Sequence, residues 1–225
     1  MPDITDERIV SFINSYSKSD SDFLAKIEKK AISDGVPIIR KEMASYLKVM
    51  LRMIRPERIL EIGGGVGYSS ILMSENTDEN CNIITIENYE PRIKELRENL
   101  EALNAIKADV CEGAYTGRIT LLAGDAMDIL PTLDGKFDLI FMDAAKGQYI
   151  NFLPYVLRLM KSTSVLISDN VLQEGEIVQS RYAVTRRNRT IYERMREYIK
   201  ALTDTEELVT SIVPLGDGIT ISVMK

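Results

Sequence analysis

Arg58-Ile59-Leu60-Glu61-Ile62-Gly63-Gly64-Gly65-Val66-Gly67-Tyr68-Ser69-Ser70 is a short apolar run with one acid that breaks into a glycine-dense turn. Ile71 and Leu72 then begin an apolar-periodic stretch, so the pattern reads as strand, tight loop and helix. The dinucleotide fingerprint G-x-G-x-x-G needs a glycine where Tyr68 stands, and the phosphate-cradling loop needs a lysine that is absent after Gly67. What remains is E-x-G-x-x-x-G. Glycines let the backbone approach a ligand closely, and Glu61 can accept hydrogen bonds from a cationic amino group. An S-adenosylmethionine (SAM) loop fits this better than a plain glycine-rich turn.

A second acid is then expected at the end of the next strand, on the ribose hydroxyls. Asn82-Ile83-Ile84-Thr85-Ile86-Glu87 supplies Glu87, 20 residues after Gly67. Downstream, short β-rich runs (Ile59–Ile62, Ile83–Ile86, Ile119–Leu122, Phe137–Met142, Val165–Ser168) alternate with helical patterns, the longest from Pro91 to Ala108. A helix from about Thr190 to Leu202 is followed by strands Leu208–Val213 and Ile219–Val223, a terminal hairpin that adds an antiparallel strand. The fold class is α/β: a doubly wound, mostly parallel, seven-stranded sheet.

Upstream, apolar residues at helical spacing (Ile9, Phe12, Ile13; Phe23, Leu24, Ile27) predict two amphipathic helices within residues 4–33. Asp34-Gly35-Val36-Pro37 is a break, and a third helical pattern runs from Arg40 to Ile54. We expect a single domain over 1–225, with residues 1–55 a helical extension that acts as lid or subunit contact and 56–225 the core.

The chain has 225 residues, a net charge of −6 and no histidine, which removes histidine-based nucleophilic triads and histidine-ligated zinc. Any metal must be held by oxygen. Cys81 and Cys111 are too few and too far apart for a disulfide framework and read as packing residues. With neither a signal sequence nor a membrane span, the protein is expected in the cytoplasm, away from membranes.

Ligands of open α/β sheets sit beyond the carboxyl ends of the strands. Asp125-Ala126 follows one strand, where the carboxylate can accept from an adenine amino group. Asp143 ends another, and Asp169-Asn170 a third. If the last two strands are neighbours, Asp143, Asp169 and Asn170 form an oxygen set suited to Mg²⁺. A turn or helix cap is the plain reading of Asp169-Asn170 alone. Lys146, three residues past Asp143, reads as a base or orienting group beside such a cation, or as a surface lysine.

From about Val36 onward the chain resembles the metal-dependent O-methyltransferases related to catechol and caffeoyl-coenzyme A methyltransferases. The resemblance rests on Glu61 to Ser69, Glu87, Asp125-Ala126, and Asp143, Asp169 and Asn170. It implies SAM binding by Glu61, Gly63, Gly67, Ser69, Glu87, Asp125, Ala126 and Asp143, with backbone near Ile39 close to the methionine part. It also implies Mg²⁺ on the oxygen set and Lys146 as the base.

Six arginines lie within sixteen residues: Arg181, Arg186, Arg187, Arg189, Arg194 and Arg196. Beside an active site such a cluster reads as an arm that grips RNA phosphates, or as a solvated helix face paired with Glu193 and Glu197. The wording Arg181-Tyr182-Ala183-Val184-Thr185-Arg186-Arg187-Asn188-Arg189-Thr190, with Gly216-Asp217-Gly218, resembles bacterial tRNA 5-hydroxyuridine methyltransferases. That resemblance implies the anticodon loop as partner and Arg181, Arg186, Arg187 and Arg189 as RNA contacts. The rival expectation is a small catechol-like or phenylpropanoid acceptor, and a more remote one a non-catalytic SAM- or RNA-binding module. The N-terminal helices and the resemblance together point to a homodimer.

Overall fold

A computed structural model describes residue 4 and residues 6–110 and 118–225, with 108–110 as backbone; Cys111 lies outside the described residues. Helices α1 (Glu7–Ser15), α2 (Asp22–Ser33) and α3 (Lys41–Ile54) precede the sheet. Strand β1 (Arg58–Ile62) leads through the glycine turn into α4 (Tyr68–Glu75), then β2 (Asn82–Glu87), α5 (Glu90–Val110) and β3 (Ile119–Ala123). The second half runs α6 (Ala126–Ile129), β4 (Phe137–Met142), α7 (Tyr149–Leu159), β5 (Met160–Ser168), α8 (Arg189–Asp204), β6 (Leu208–Val213) and β7 (Ile219–Met224).

The sheet order is β3-β2-β1-β4-β5-β7-β6. The first five strands pair in parallel, and β7 runs antiparallel between β5 and β6. Both strands of the expected hairpin are present, and they place the antiparallel strand inside the sheet with β6 at the edge. Strand order reverses between β1 and β4, so the crevice of an open α/β sheet falls there.

Alternation along the strands splits the core into two faces. Leu60, Ile62, Ile140 and Met142 pack with α7 and α8 through Val156, Tyr198 and Leu202. Ile59, Leu139, Phe141 and Ile167 pack with the N-terminal helices through Leu24, Leu47 and Leu51. The helical extension is therefore bound to the sheet by core packing, and truncating Leu47 or Leu51 to Ala costs about 2 to 5 kcal/mol. Ser21 accepts from Leu24 N at 3.1 Å and fixes where α2 begins. Helix α1 is different: it buries no residue and leaves Ile9, Phe12, Ile13 and Tyr16 exposed. Cys81 is buried, as its packing role required. Among the described residues no helix is long and apolar enough to cross a membrane.

Candidate active site

The glycine turn and the end of β4 meet with no room between them. Gly63 has φ +100°, and a Cβ there would lie 2.0 Å from the carbonyl oxygen of Asp143. Only glycine fits. Gly63 N donates to Ile86 O at 2.9 Å, and Asp143 N donates to Ile62 O at 2.9 Å, which ties the ends of β1, β2 and β4 together. Glu87 closes the turn by accepting from Gly65 N at 2.8 Å and from Asn88 N and Tyr89 N at 2.9 Å.

These ends line a cavity of about 590 Å³ bounded by Gly63, Ser69, Glu87, Asp143, Lys146 and Asp169 among others. A second hollow, about 340 Å³, shares Gly63, Glu87 and Asp143 with it and brings in Asp125 and Ala126. Asp125 also caps α6, accepting from Met127 N at 2.8 Å. Two residues expected on the wall stand behind it. Gly67 caps α4 with φ +86°. Glu61 is fully enclosed on the same sheet face as Ile59, where it accepts from Ser70 Oγ and, at 2.6 Å, from Thr85 Oγ1. Burial raises the Glu61 carboxyl above its ordinary range while the hydroxyls of Ser69, Ser70 and Thr85 oppose the rise. Its Oε1 has no partner.

Strands β4 and β5 are neighbours, as the oxygen set required. Tyr149 joins their ends, donating to Met142 O at 3.2 Å and Asp169 O at 3.1 Å. It is wholly buried and packs edge-on against Tyr198, so its part is scaffold. Asp143, Asp169 and Asn170 open onto one cavity. Burial first, then the charge of Glu61, pushes Asp143 up to about 6. Burial first, then the charge of Asp143, pushes Asp169 up to about 7. Two buried carboxylates that repel each other are poised for a cation, and two carboxylates with an amide make an all-oxygen set that fits a hard divalent ion. Among the described residues no group of three or more His, Cys, Asp and Glu is placed to hold a metal, so Asn170 is needed to complete this one.

Lys146 sits on a short 3₁₀ turn, Lys146–Gln148, at the same lip. Its ammonium donates to Asp217 Oδ2 at 3.3 Å, and the Asp217 side chain is only 5% exposed. The other carboxylate oxygen of Asp217 accepts from Glu174 N. Arg194 of α8 donates to Gly147 O at 2.9 Å and braces the turn from behind. Asp217 is thus a site residue that spacing could not assign: it lies 71 positions from Lys146.

The arginine cluster separates into two groups. Arg194 and Arg196 donate to the carbonyls of Gly147 and Ile177, Arg189 to that of Val184, and Arg181 pairs with Glu193. Arg186 and Arg187 are exposed, with no ion pair to a described residue.

Asp217 also borders a larger space, about 850 Å³, walled by Ile4, Glu7 and Val10 on one side and by Ile39, Glu42 and Gly216 on another. Ile39, Arg40, Glu174 and Asp217 line both spaces. The two spaces therefore adjoin across a shared wall, and together they give the site a strand-end side and a helical side.

A family model described as O-methyltransferase matches residues 14–225. A catechol O-methyltransferase of Niastella koreensis is 28% identical over 178 residues, 76% of each chain. Caffeoyl-CoA O-methyltransferase 1 of Eucalyptus globulus is 30% identical over 186 residues, 78% of this chain and 70% of that one. A methyltransferase of Podospora anserina, solved bound to SAH, superposes with a TM-score of 0.82 at 24% identity, covering 97% of this chain and 94% of that one. The chain belongs to the O-methyltransferase family.

Proposed function

We propose that this O-methyltransferase moves a methyl group from SAM to one oxygen of a neighbouring oxygen pair on a catechol-like acceptor, with Mg²⁺ on Asp143, Asp169 and Asn170. The observation that carries the reading is that the repelling pair Asp143 and Asp169, together with Lys146, opens onto the cavity that the glycine turn lines. The likeness to catechol and caffeoyl-CoA O-methyltransferases supports the acceptor class.

The glycine turn, Glu87 and Asp125 hold the donor against the strand ends, and Ile39 closes over it. Asp143, Asp169 and Asn170 would hold the cation, which would supply Lewis acidity toward the acceptor hydroxyl. Lys146, kept in place by Asp217, orients the acceptor hydroxyl as an ammonium or takes its proton as the neutral amine. The methyl carbon leaves sulfur as the acceptor oxygen bonds to it, and the protein contributes chiefly position and fixed charge.

A second reading is favoured by Arg186 and Arg187, which are exposed and unpaired on the segment leading into α8. In it the acceptor is 5-hydroxyuridine in a tRNA anticodon loop, whose 5-hydroxyl and 4-carbonyl form the oxygen pair and whose phosphates meet these arginines. The exposed apolar stripe of α1 supports association of two copies through the N-terminal helices.

Labelled SAM, offered with and without Mg²⁺ to catechol and to tRNA bearing 5-hydroxyuridine, decides between them. Mg²⁺-dependent labelling of catechol with unlabelled tRNA supports the first reading, and the reverse pattern supports the second. Transfer unaffected by chelation removes the metal from both.

A further inference from the structure

The helical side of the site contains a buried carboxyl oxygen without a hydrogen-bond partner. Glu42, in the first turn of α3, is 6% exposed and lines the larger space. Its Oε2 accepts from Asn14 Nδ2 at 3.3 Å, whereas its Oε1 has no hydrogen bond. No lysine or arginine among the described residues forms an ion pair with it, although Arg40 lies alongside: a Cβ built on Gly216 would be 3.6 Å from Arg40 Cδ and 3.9 Å from Glu42 Oε1. A buried carboxylate oxygen left open costs stability, and such a group persists where a ligand completes it.

The other charges on this wall narrow the ligand. Glu7, Glu28, Glu174 and Asp217 line the same space against Arg40 and Lys41, and Lys41 is spent on Glu28 at 3.4 Å. An anionic group is repelled here, and a hydrogen-bond donor is drawn in. We infer that Glu42 is a specificity-determining residue that accepts a hydrogen bond from an N–H donor on the acceptor substrate, on the helical side of the site. The inference rests on the proposed use of this cavity by the acceptor. An ammonium group on a small catechol and the imide N–H of a uracil ring share this chemistry.

Binding and turnover test the two assignments separately. Phenethylammonium has no oxygen to methylate and uridine has no 5-hydroxyl beside its 4-carbonyl, and calorimetry on the full chain with SAM present measures their affinity directly. Glu42→Gln keeps an amide oxygen to accept from an imide but loses the charge that holds an ammonium, so it weakens phenethylammonium by about tenfold and uridine little. Glu42→Ala weakens whichever probe binds the wild type by about tenfold or more. Turnover of unsubstituted catechol, which has no N–H, stays within about twofold in both variants, and the KM of aminoethyl-catechol or 5-hydroxyuridine rises while kcat holds. Thermal melting and SAM affinity confirm folding, and the isosteric glutamine variant carries the test if the alanine variant does not fold. Wild-type binding of neither probe, or equal binding by wild type and variants, overturns the role of Glu42. Probe binding that depends on Glu42 in a protein that methylates no acceptor sinks the proposed function and leaves this inference standing.

Discussion

The strand-end side and the helical side of the site share Ile39, Arg40, Glu174 and Asp217, yet they are built by opposite means. On the strand-end side, position comes from backbone: ladder hydrogen bonds fix the ends of β1, β2, β4 and β5, and the chemistry-bearing groups follow each strand by one or two residues. On the helical side, position comes from side chains of α1, α3 and the turn before β7. Backbone geometry tolerates few alternatives, whereas a wall of side chains can be exchanged residue by residue. Under the proposed function, reaction type belongs to the first side and substrate choice to the second.

The sharpest break of that division is at the oxygen set. Asp169→Ala lowers methyl transfer by about a hundredfold or more while SAM affinity changes little, because the proposed cation would lose one ligand and the glycine turn is untouched. Turnover close to wild type in a labelled-SAM assay would remove Asp169 from the strand-end machinery. Gly63→Ala comes next. Its Cβ collides with Asp143 O, so both SAM affinity and melting temperature fall, by about 1 to 3 kcal/mol of stability.

The third prediction concerns pH. The carboxyls of Asp143 and Asp169 are raised above the ordinary range, so the native state keeps protons that the unfolded chain releases. Their stabilising contribution is full at acid pH and is lost as pH rises through about 6 to about 7. Metal-free protein therefore melts at lower temperature at about pH 8 than at about pH 5, by a few degrees. Added Mg²⁺ or Asp143→Asn flattens that slope, and an unchanged slope in Asp143→Asn would show that the pair is not its source. The smallest effect sharpens the helical side: changing Arg186 and Arg187 together to alanine leaves catechol turnover within about twofold, since neither touches the cavity lining. If tRNA is the acceptor, the same variant loses tRNA methylation.

The strand-end side was legible because its signals are local. A β-rich run followed by an acid announces a strand and its ligand within about six residues, and Glu87, Asp125, Asp143 and Asp169 all follow that rule. Helix α7 was silent because Pro154 lies inside it and its residues are apolar nearly all round. Glu61 lies enclosed on the sheet face of Ile59, and sequence shows an acid at a strand end but not which sheet face it occupies. Composition counts the six arginines alike and cannot show that four of them hold carbonyls or Glu193. Asp217 and Glu42 needed contacts across 71 and 28 positions, with Lys146 and Asn14, that no spacing encodes.

Strand β6 precedes β7 in the chain but lies outside it at the sheet edge. It has no docking place until β7 has filled the slot beside β5, so the pair enters the sheet as one unit, after loop closure over a long sequence interval. The turn between them carries Asp217, whose backbone carbonyl also accepts from Leu172 N at 3.0 Å beside the Asp169 loop. A chain with this hairpin undocked would keep the glycine turn, Glu87 and Asp125 while losing the carboxylate that anchors Lys146.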